Sequence, residues 1–204
     1  FIKHGKIMKK LISLLTIFLS LGVSQDTLFV PWDSEPDHLK NIILSDRDGD
    51  GNQLHDVYLL EADRIYLQRT QMELTGSLNI TGMMPVAGEH PAMIQPIVSS
   101  DGSMDFQSWP RVNFRVVEDE AVLVLRNLYF NQVEVEGSFA LDGVATAEGD
   151  KQKIVVDKSV ISGCVTLAFS TLGTSTDFHF VHSIAKDWTS SPGLMFFGGL
   201  FWGG

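Results

Sequence analysis

One cysteine in 204 residues excludes a disulfide framework and any zinc cluster built from thiolates, since both need several sulfurs. Basic residues are also scarce, with 15 Lys and Arg against 25 Asp and Glu. A chain of that sign repels phosphate backbones, so no nucleic-acid partner is expected; such affinity comes mainly from Lys and Arg. The most apolar stretch, Leu11 to Val23, falls short of the roughly 20 residues needed to cross a bilayer, so no membrane span is expected. No glycine-rich loop ending in Lys is present to cradle a phosphate. Charge is moderate at 20% and apolar content high at 44%, which excludes wholesale disorder and allows one substantial core.

What the amino terminus does have is a basic Met8-Lys9-Lys10, the apolar stretch just named, and small residues Gly22, Val23 and Ser24. That order reads as a secretory signal over residues 1–24, with 1–7 upstream of the true start at Met8. No cysteine follows it, which argues against a lipoprotein. The expected location is secreted or at the cell surface. The segment holds Lys3, Lys6, Lys9 and Lys10 and no acid, so the remainder is more acidic still. Such a surface suits divalent cations or neutral glycans better than polyanions.

In the remainder, Leu39, Ile42 and Ile43 recur at helical spacing after Ser34-Glu35-Pro36-Asp37. Ser34 with Asp37 three residues on has the form of a capping box, so one short amphipathic helix is predicted, suited to cover something apolar. Beyond it, strand-type runs follow at Val57 to Leu60, Arg64 to Leu67, Leu78 to Thr81, Met93 to Gln95, Val112 to Val117, Ala121 to Phe130, Lys153 to Ile161 and Phe178 to Ile184. They are rich in Val, Ile, Leu and Phe and are separated by turn-forming residues. This is an all-β chain, with no helical crossover of βαβ length.

Three of the runs superimpose. Leu125, Val156 and Phe180 correspond, and five residues later so do Phe130, Ile161 and Ala185. Between them lie Arg126-Asn127, Asp157-Lys158 and Val181-His182, the positions at which each path bends. The stretch Gly137 to Asp150 reads as a loop insertion between two copies. An imperfect repeat of this length is the mark of a solenoid, whose coils must stack to bury a core and whose first end needs a lid.

The segments Asp56-Val57-Tyr58-Leu59-Leu60-Glu61, Arg64-Ile65-Tyr66-Leu67, Leu78-Asn79-Ile80-Thr81-Gly82, His90-Pro91-Ala92-Met93-Ile94, Leu125-Arg126-Asn127-Leu128-Tyr129-Phe130 and Ile154-Val155-Val156-Asp157 together resemble the N-terminal coils of secreted bacterial right-handed parallel β-helix proteins of the pectate-lyase-like superfamily. The resemblance spans roughly Leu39 to Trp188. It implies a solenoid with a short N-terminal capping helix, truncated at the C-terminus, and an extracellular polysaccharide as partner. It does not fix a reaction, because that superfamily includes lyases, glycoside hydrolases and surface proteins of no known activity. The corresponding division is 1–24 signal, 25–56 cap and Asp/Gly loop, 57–188 coils, and 189–204 an irregular apolar tail.

The most specific local pattern is Asp46-Arg47-Asp48-Gly49-Asp50-Gly51-Asn52 with Asp56 nearby. Oxygen ligands at alternate positions around glycines suit Ca²⁺, so Asp46, Asp48, Asp50, Asn52 and Asp56 are the candidate metal ligands. An EF-hand starting at Asp46 would require Glu where Val57 stands; the competing reading is a solvated turn. His179 and His182, His55 and His90 read as bend or surface residues for want of a third ligand. Lys158, Lys186 and Arg126 share one bend region and would supply cationic groups to an elimination on a uronic acid sugar. Acids at Glu118 to Glu120, Glu134, Glu136 and Asp157 are too many to select a hydrolytic pair, so no catalytic residue is assigned. Cys164 reads as a small buried residue rather than a nucleophile. The sequence therefore leaves two functions open: a polysaccharide lyase assisted by Ca²⁺, or a non-catalytic adhesin or glycan-binding scaffold using aromatics such as Trp109 and Trp188.

Overall fold

The computed structural model describes residues 26–50, 53–98, 111–135, 137, 139–165, 169–171 and 175–187. Residues 1–24, expected to be a signal, lie outside these residues, as do Asn52, Trp109, Trp188 and the apolar tail. In chain order the elements are β1 (Thr27–Val30), α1 (His38–Ser45), β2 (Val57–Leu60), β3 (Ile65–Gln68), β4 (Met72–Leu74), β5 (Leu78–Gly82), β6 (Ala92–Pro96), β7 (Val112–Val116), β8 (Val122–Arg126), β9 (Leu128–Asn131), β10 (Gly143–Ala147), β11 (Gln152–Asp157), β12 (Val160–Ser162), β13 (Phe169–Thr171), β14 (Thr176–Val181) and β15 (Ile184–Lys186).

These strands form three parallel sheets. Sheet I runs β1-β2-β5-β8-β11-β14, sheet II β3-β6-β9-β12-β15, and sheet III β4-β7-β10-β13. From β2 onward the chain visits I, II and III in turn and returns to I one strand further along. Parallel neighbours need a long connection, and here the other two walls supply it in place of a helix. The chain is thus all-β, with one short helix among the described residues and an arrangement compatible with stacked coils.

The register explains the core. Alternate residues of a strand face one side, and in sheet I the inward column is Leu28, Tyr58, Ile80, Leu125, Val156, Phe180. In sheet II it is Tyr66, Ile94, Phe130, Ile161, Ala185. Both superpositions read from the sequence are therefore real strand pairings. Sheet III contributes Met72, Phe114, Ala145 and Phe169. Ile80, Leu123, Leu125, Phe114 and Phe130 are all fully buried, and each such side chain contributes about 1.5–3 kcal/mol by leaving water. Phe114 and Phe130 meet edge to face across the interior, their centroids 6.3 Å apart.

Amide side chains inside the coil link one rung to the next, while the Oε1 atoms of Gln132 and Gln152 are buried without a partner among the described residues. Asn113 Nδ2 donates to Gln68 Oε1 at 2.8 Å, and Gln132 Nε2 donates to Asn113 Oδ1 at 2.6 Å. At the corner between sheets I and II, Asn127, Lys158 and His182 all take left-handed backbone, with φ of 54°, 51° and 49°. The bends foreseen at these three residues are thus one stacked corner. Next to it, Ser159 Oγ accepts the Leu128 N–H at 3.1 Å and Ser183 Oγ accepts the Ser159 N–H at 3.0 Å.

Two local expectations are corrected. The stretch Gly137 to Asp150 is not a loop insertion, because Gly143–Ala147 is strand β10 and all five of its residues are buried. The extra length lies earlier, where an antiparallel bridge joins Val133 to Ala140 between β9 and β10. Nor do Ser34 and Asp37 form a capping box. The helix starts after Asp37, whose side chain makes no cap hydrogen bond. Its carboxylate instead accepts the N–H groups of Arg69 (2.8 Å) and Thr70 (3.0 Å), stitching α1 to the turn beyond β3. The helix itself is as expected: Leu39 and Ile43 are buried and join the core beneath. β1, which the strand pattern does not reveal, adds a rung ahead of β2.

Candidate functional site

The outer face of sheet I and its corner with sheet II bring together exposed polar and aromatic groups. Because register fixes which side chains point outward, Phe29, Leu59, Thr81, Arg126, Asp157 and Val181 form one outward column. At a strand spacing of about 4.8 Å, its first five positions span roughly 19 Å. A second column places Asn79, Val124, Val155 and His179 beside it.

At one end the column is charged. Arg126 Nε lies 3.2 Å from Asp157 Oδ2, and His182 Nδ1 lies 3.4 Å from Asp157 Oδ1. Lys158, exposed at the same bend, stands next to Asp157 in the chain. The cationic residues expected at one bend divide: Arg126 and Lys158 stand at this corner, together with His182. Lys186 lies in β15 and pairs with Asp187 at 3.3 Å.

At the other end the column is aromatic. Phe29 and Trp32 are 48% and 41% exposed, unusual for side chains of this size. Trp32 is held firmly: its backbone N–H donates to Glu61 Oε1 at 2.8 Å and its indole N–H to the Ile65 carbonyl at 2.9 Å. The Arg64 guanidinium sits 5.3 Å from the ring centroid. Neither aromatic was singled out in the sequence; the usable signal was their position just before the lid helix, where no buried column claims them.

The acidic loop is arranged differently from its sequence pattern. Asp46 receives the Tyr58 hydroxyl at 2.6 Å and lies 2.9 Å from His55 Nδ1. Burial would raise its pKa, but these hydrogen bonds and the His55 charge outweigh it and hold the carboxyl below its ordinary value. Burial and the adjoining Asp46 carboxylate push Tyr58 upward. A hydroxyl donates one proton, and Asp46 takes it. Gln53 therefore meets Tyr58 with its amide nitrogen, which also reaches the carbonyl oxygens of Asp46 (2.8 Å) and Ile43 (3.2 Å). Asp48 Oδ1 accepts the Asp50 N–H at 2.9 Å, and Asp56 Oδ2 accepts the Asp26 N–H at 3.0 Å. Asn52 lies outside the described residues. Among those described, no three His, Cys, Asp or Glu side chains are grouped to hold a metal ion. The calcium reading therefore stands on sequence spacing alone.

Cys164 is buried, and burial pushes its thiol pKa up to about 12. No helix among the described residues is long and apolar enough to cross a membrane. Compared with known proteins, the chain matches no family model and no curated sequence.

Proposed function

We propose that this chain is a secreted right-handed parallel β-helix of the pectate-lyase-like kind that binds or acts on extracellular polysaccharide along the outer face of sheet I. The observation carrying this reading is the in-register column from Phe29 through Thr81 and Arg126 to Asp157. It gives a linear polymer an apolar platform at one end and charged donors and acceptors at the other. The right hand is the one parallel crossovers take in nearly every case. Sugar rings stack on exposed aromatics such as Trp32 and Phe29, while Arg126, His182 and Asn79 supply hydrogen-bonding groups.

Recognition is favoured over chemistry by the state of Asp157. Its two carboxylate oxygens are already engaged, one by the Arg126 guanidinium and the other by the His182 ring, an arrangement that orders hydrogen-bonding groups on the surface instead of aiming a lone carboxylate at a substrate proton. A lyase activity would instead need Ca²⁺ or Lys158 to neutralise a uronate carboxylate and a separate group to take the proton. Any calcium would go to the stretch Asp46 to Asp56.

The full chain is applied to a broad glycan array and, separately, incubated with uronate polymers with and without Ca²⁺ while the ultraviolet absorbance of unsaturated ends is followed. Binding that weakens in Trp32→Ala and in Arg126→Ala is the expected result, and a rising absorbance would add the lyase step. Absence of both binding and absorbance, or binding that both substitutions leave intact, refutes the proposal. Calorimetric titration with CaCl₂ that releases no heat removes the metal.

A further inference from the structure

Sheet II carries an unbroken apolar column on its outside. The register that stacks Tyr66, Ile94 and Phe130 inward sets Ile65, Met93, Tyr129, Val160 and Ile184 in line on the outer face. None of the five is buried, and Ile65 and Ile184, at the two ends, are 44% and 58% exposed. At about 4.8 Å per rung the column runs roughly 19 Å. Outward columns on the other walls are broken by charge, with Arg126 and Asp157 in sheet I and Glu73 and Arg115 in sheet III. A continuous apolar line on a surface marks a contact face. We infer that this face pairs with the same face of a second copy of the chain, about a two-fold axis that runs along the strands over Tyr129.

The charges beside the column select that occupant and its direction. Two residues before Ile65, Tyr129, Val160 and Ile184 stand Asp63, Asn127, Lys158 and His182, all in left-handed backbone at the corner with sheet I. Ion pairs near the column cancel: Arg64 with Glu61 at 3.5 Å, Lys186 with Asp187 at 3.3 Å, and Arg126 and His182 with Asp157 at 3.2 and 3.4 Å. What remains on the corner is the acid Asp63 at one end and the cation Lys158 toward the other. Copies laid with their columns antiparallel place β3 of each over β15 of the other. Asp63 then lies opposite the copy's His182 and one rung from its Lys158, while Tyr129 meets Tyr129. Columns laid parallel would set Asp63 on Asp63 and Lys158 on Lys158, which like-charge repulsion disfavours. A two-fold axis repeats each contact, so one gradient supplies two complementary ends.

Size sets the strength. Alternate residues of a strand lie about 7 Å apart, so the column with one flanking position on each side is roughly 14 Å wide. The β5–β6 loop widens this face at the same corner with exposed Met84 and Val86. A stable interface buries about 800 Å² per partner, and this face falls short of that, so the dimer is weak and concentration-dependent. Ile, Met and Val give a sugar neither a ring to stack on nor a hydrogen bond. The pairing therefore stands whether or not sheet I binds polysaccharide.

Sedimentation velocity of the full chain, run from about 1 µM to about 1 mM to bracket weak complexes, is expected to show monomer passing to dimer and stopping there. Tyr129→Glu sets two carboxylates face to face on the axis and should leave monomer throughout. Lys158→Glu and Asp63→Lys each turn attraction into repulsion at both ends of the interface and should weaken the dimer about tenfold. Lys158 itself shows that lysine accepts this left-handed backbone. The double variant restores the complement and should recover most of the affinity. Monomer at every concentration, association that runs on past the dimer, dimerisation unchanged in Tyr129→Glu, or a double variant as weak as the single ones would each overturn the pairing. Should Tyr129→Glu fail to fold, the charge series decides.

Discussion

Replacing Asn127 separates two jobs that one side chain performs at the corner between sheets I and II. Its backbone is left-handed, φ 54°, and its Nδ2 donates to the carbonyls of Gly82 (2.9 Å) and Met83 (2.7 Å) on the preceding rung. Asn127→Gly keeps the conformation and loses both bonds, a cost of about 2 kcal/mol at ~1 each, plus a few tenths for glycine's freedom in the unfolded chain. Asn127→Ala loses the same bonds and also holds an ordinary Cβ in the left-handed region, which adds roughly 1 kcal/mol. Asn127→Asp is worst at neutral pH, because a carboxylate oxygen then faces two carbonyl oxygens in a nearly buried site. Protonation in acid restores one donor and should recover part of that loss. Urea unfolding of the full-length variants measures the series. With m of about 2 kcal/mol per molar, a 1 kcal/mol step moves the midpoint by about 0.5 M. Equal midpoints for Gly and Ala would deny that the left-handed backbone is strained. Losses under about 0.5 kcal/mol in all three would deny that the amide joins the rungs.

Lys158 occupies the same bend one rung on, φ 51°, without an amide to ease it. Lys158→Asn should therefore stabilise by about 0.5–1 kcal/mol, seen as a higher urea midpoint. Gly82 lies against the corner so closely that a Cβ there would stand 2.2 Å from the Asn127 carbonyl oxygen. Gly82→Ala should cost at least about 1–3 kcal/mol in the same assay. Against the opposing effect of burial, the Tyr58 and His55 hydrogen bonds hold the Asp46 carboxyl below the ordinary carboxylate range, so it contributes stability above that range and loses it as pH falls through the lower folded value. Asp46→Asn should accordingly show a shallower acid decline than the parent in thermal melts below about pH 4. Cys164, buried and with its thiol pKa near 12, should resist iodoacetamide in the native chain and react once urea unfolds it; rapid native alkylation would contradict its burial.

Which parts of this architecture can be read from residues alone follows from how strongly each position is constrained. Sheets I and II are legible because their inward positions carry large aliphatic and aromatic residues in strict alternation, and because Asn127, Lys158 and His182 break the runs at one phase. The first two coils escape the superposition because their corners are longer, with β2 to β3 and β5 to β6 joined by wider loops. Sheet III is poorly legible for a packing reason. Ala145 pairs with Phe114 and with Phe169 in its column, so a small residue is what the space between two rings admits. Gly143, Ala145 and Ala147 then look like loop in a hydropathy pattern, though every residue of β10 is buried. Asp37 misleads for the opposite reason: its local setting suits a cap, while its carboxylate is claimed by Arg69 and Thr70 from a distant part of the chain.

The candidate sites were less legible than the fold, and the stacking of rungs is the cause. In such a chain, spatial neighbours lie a whole coil apart in sequence, so acids adjacent in sequence need not cooperate. Asp46, Asp48 and Asp56 illustrate this: one binds His55 and Tyr58, one closes a turn onto Asp50, and one pins Asp26. Groups that do converge, such as Arg126, Asp157 and His182, form no local motif. Core stability comes from inward positions, which leaves outward positions free to vary without cost to the fold. Substitutions at outward positions therefore separate contact from packing, which is the reason to test the Phe29 to Asp157 column by binding, with stability serving as the control.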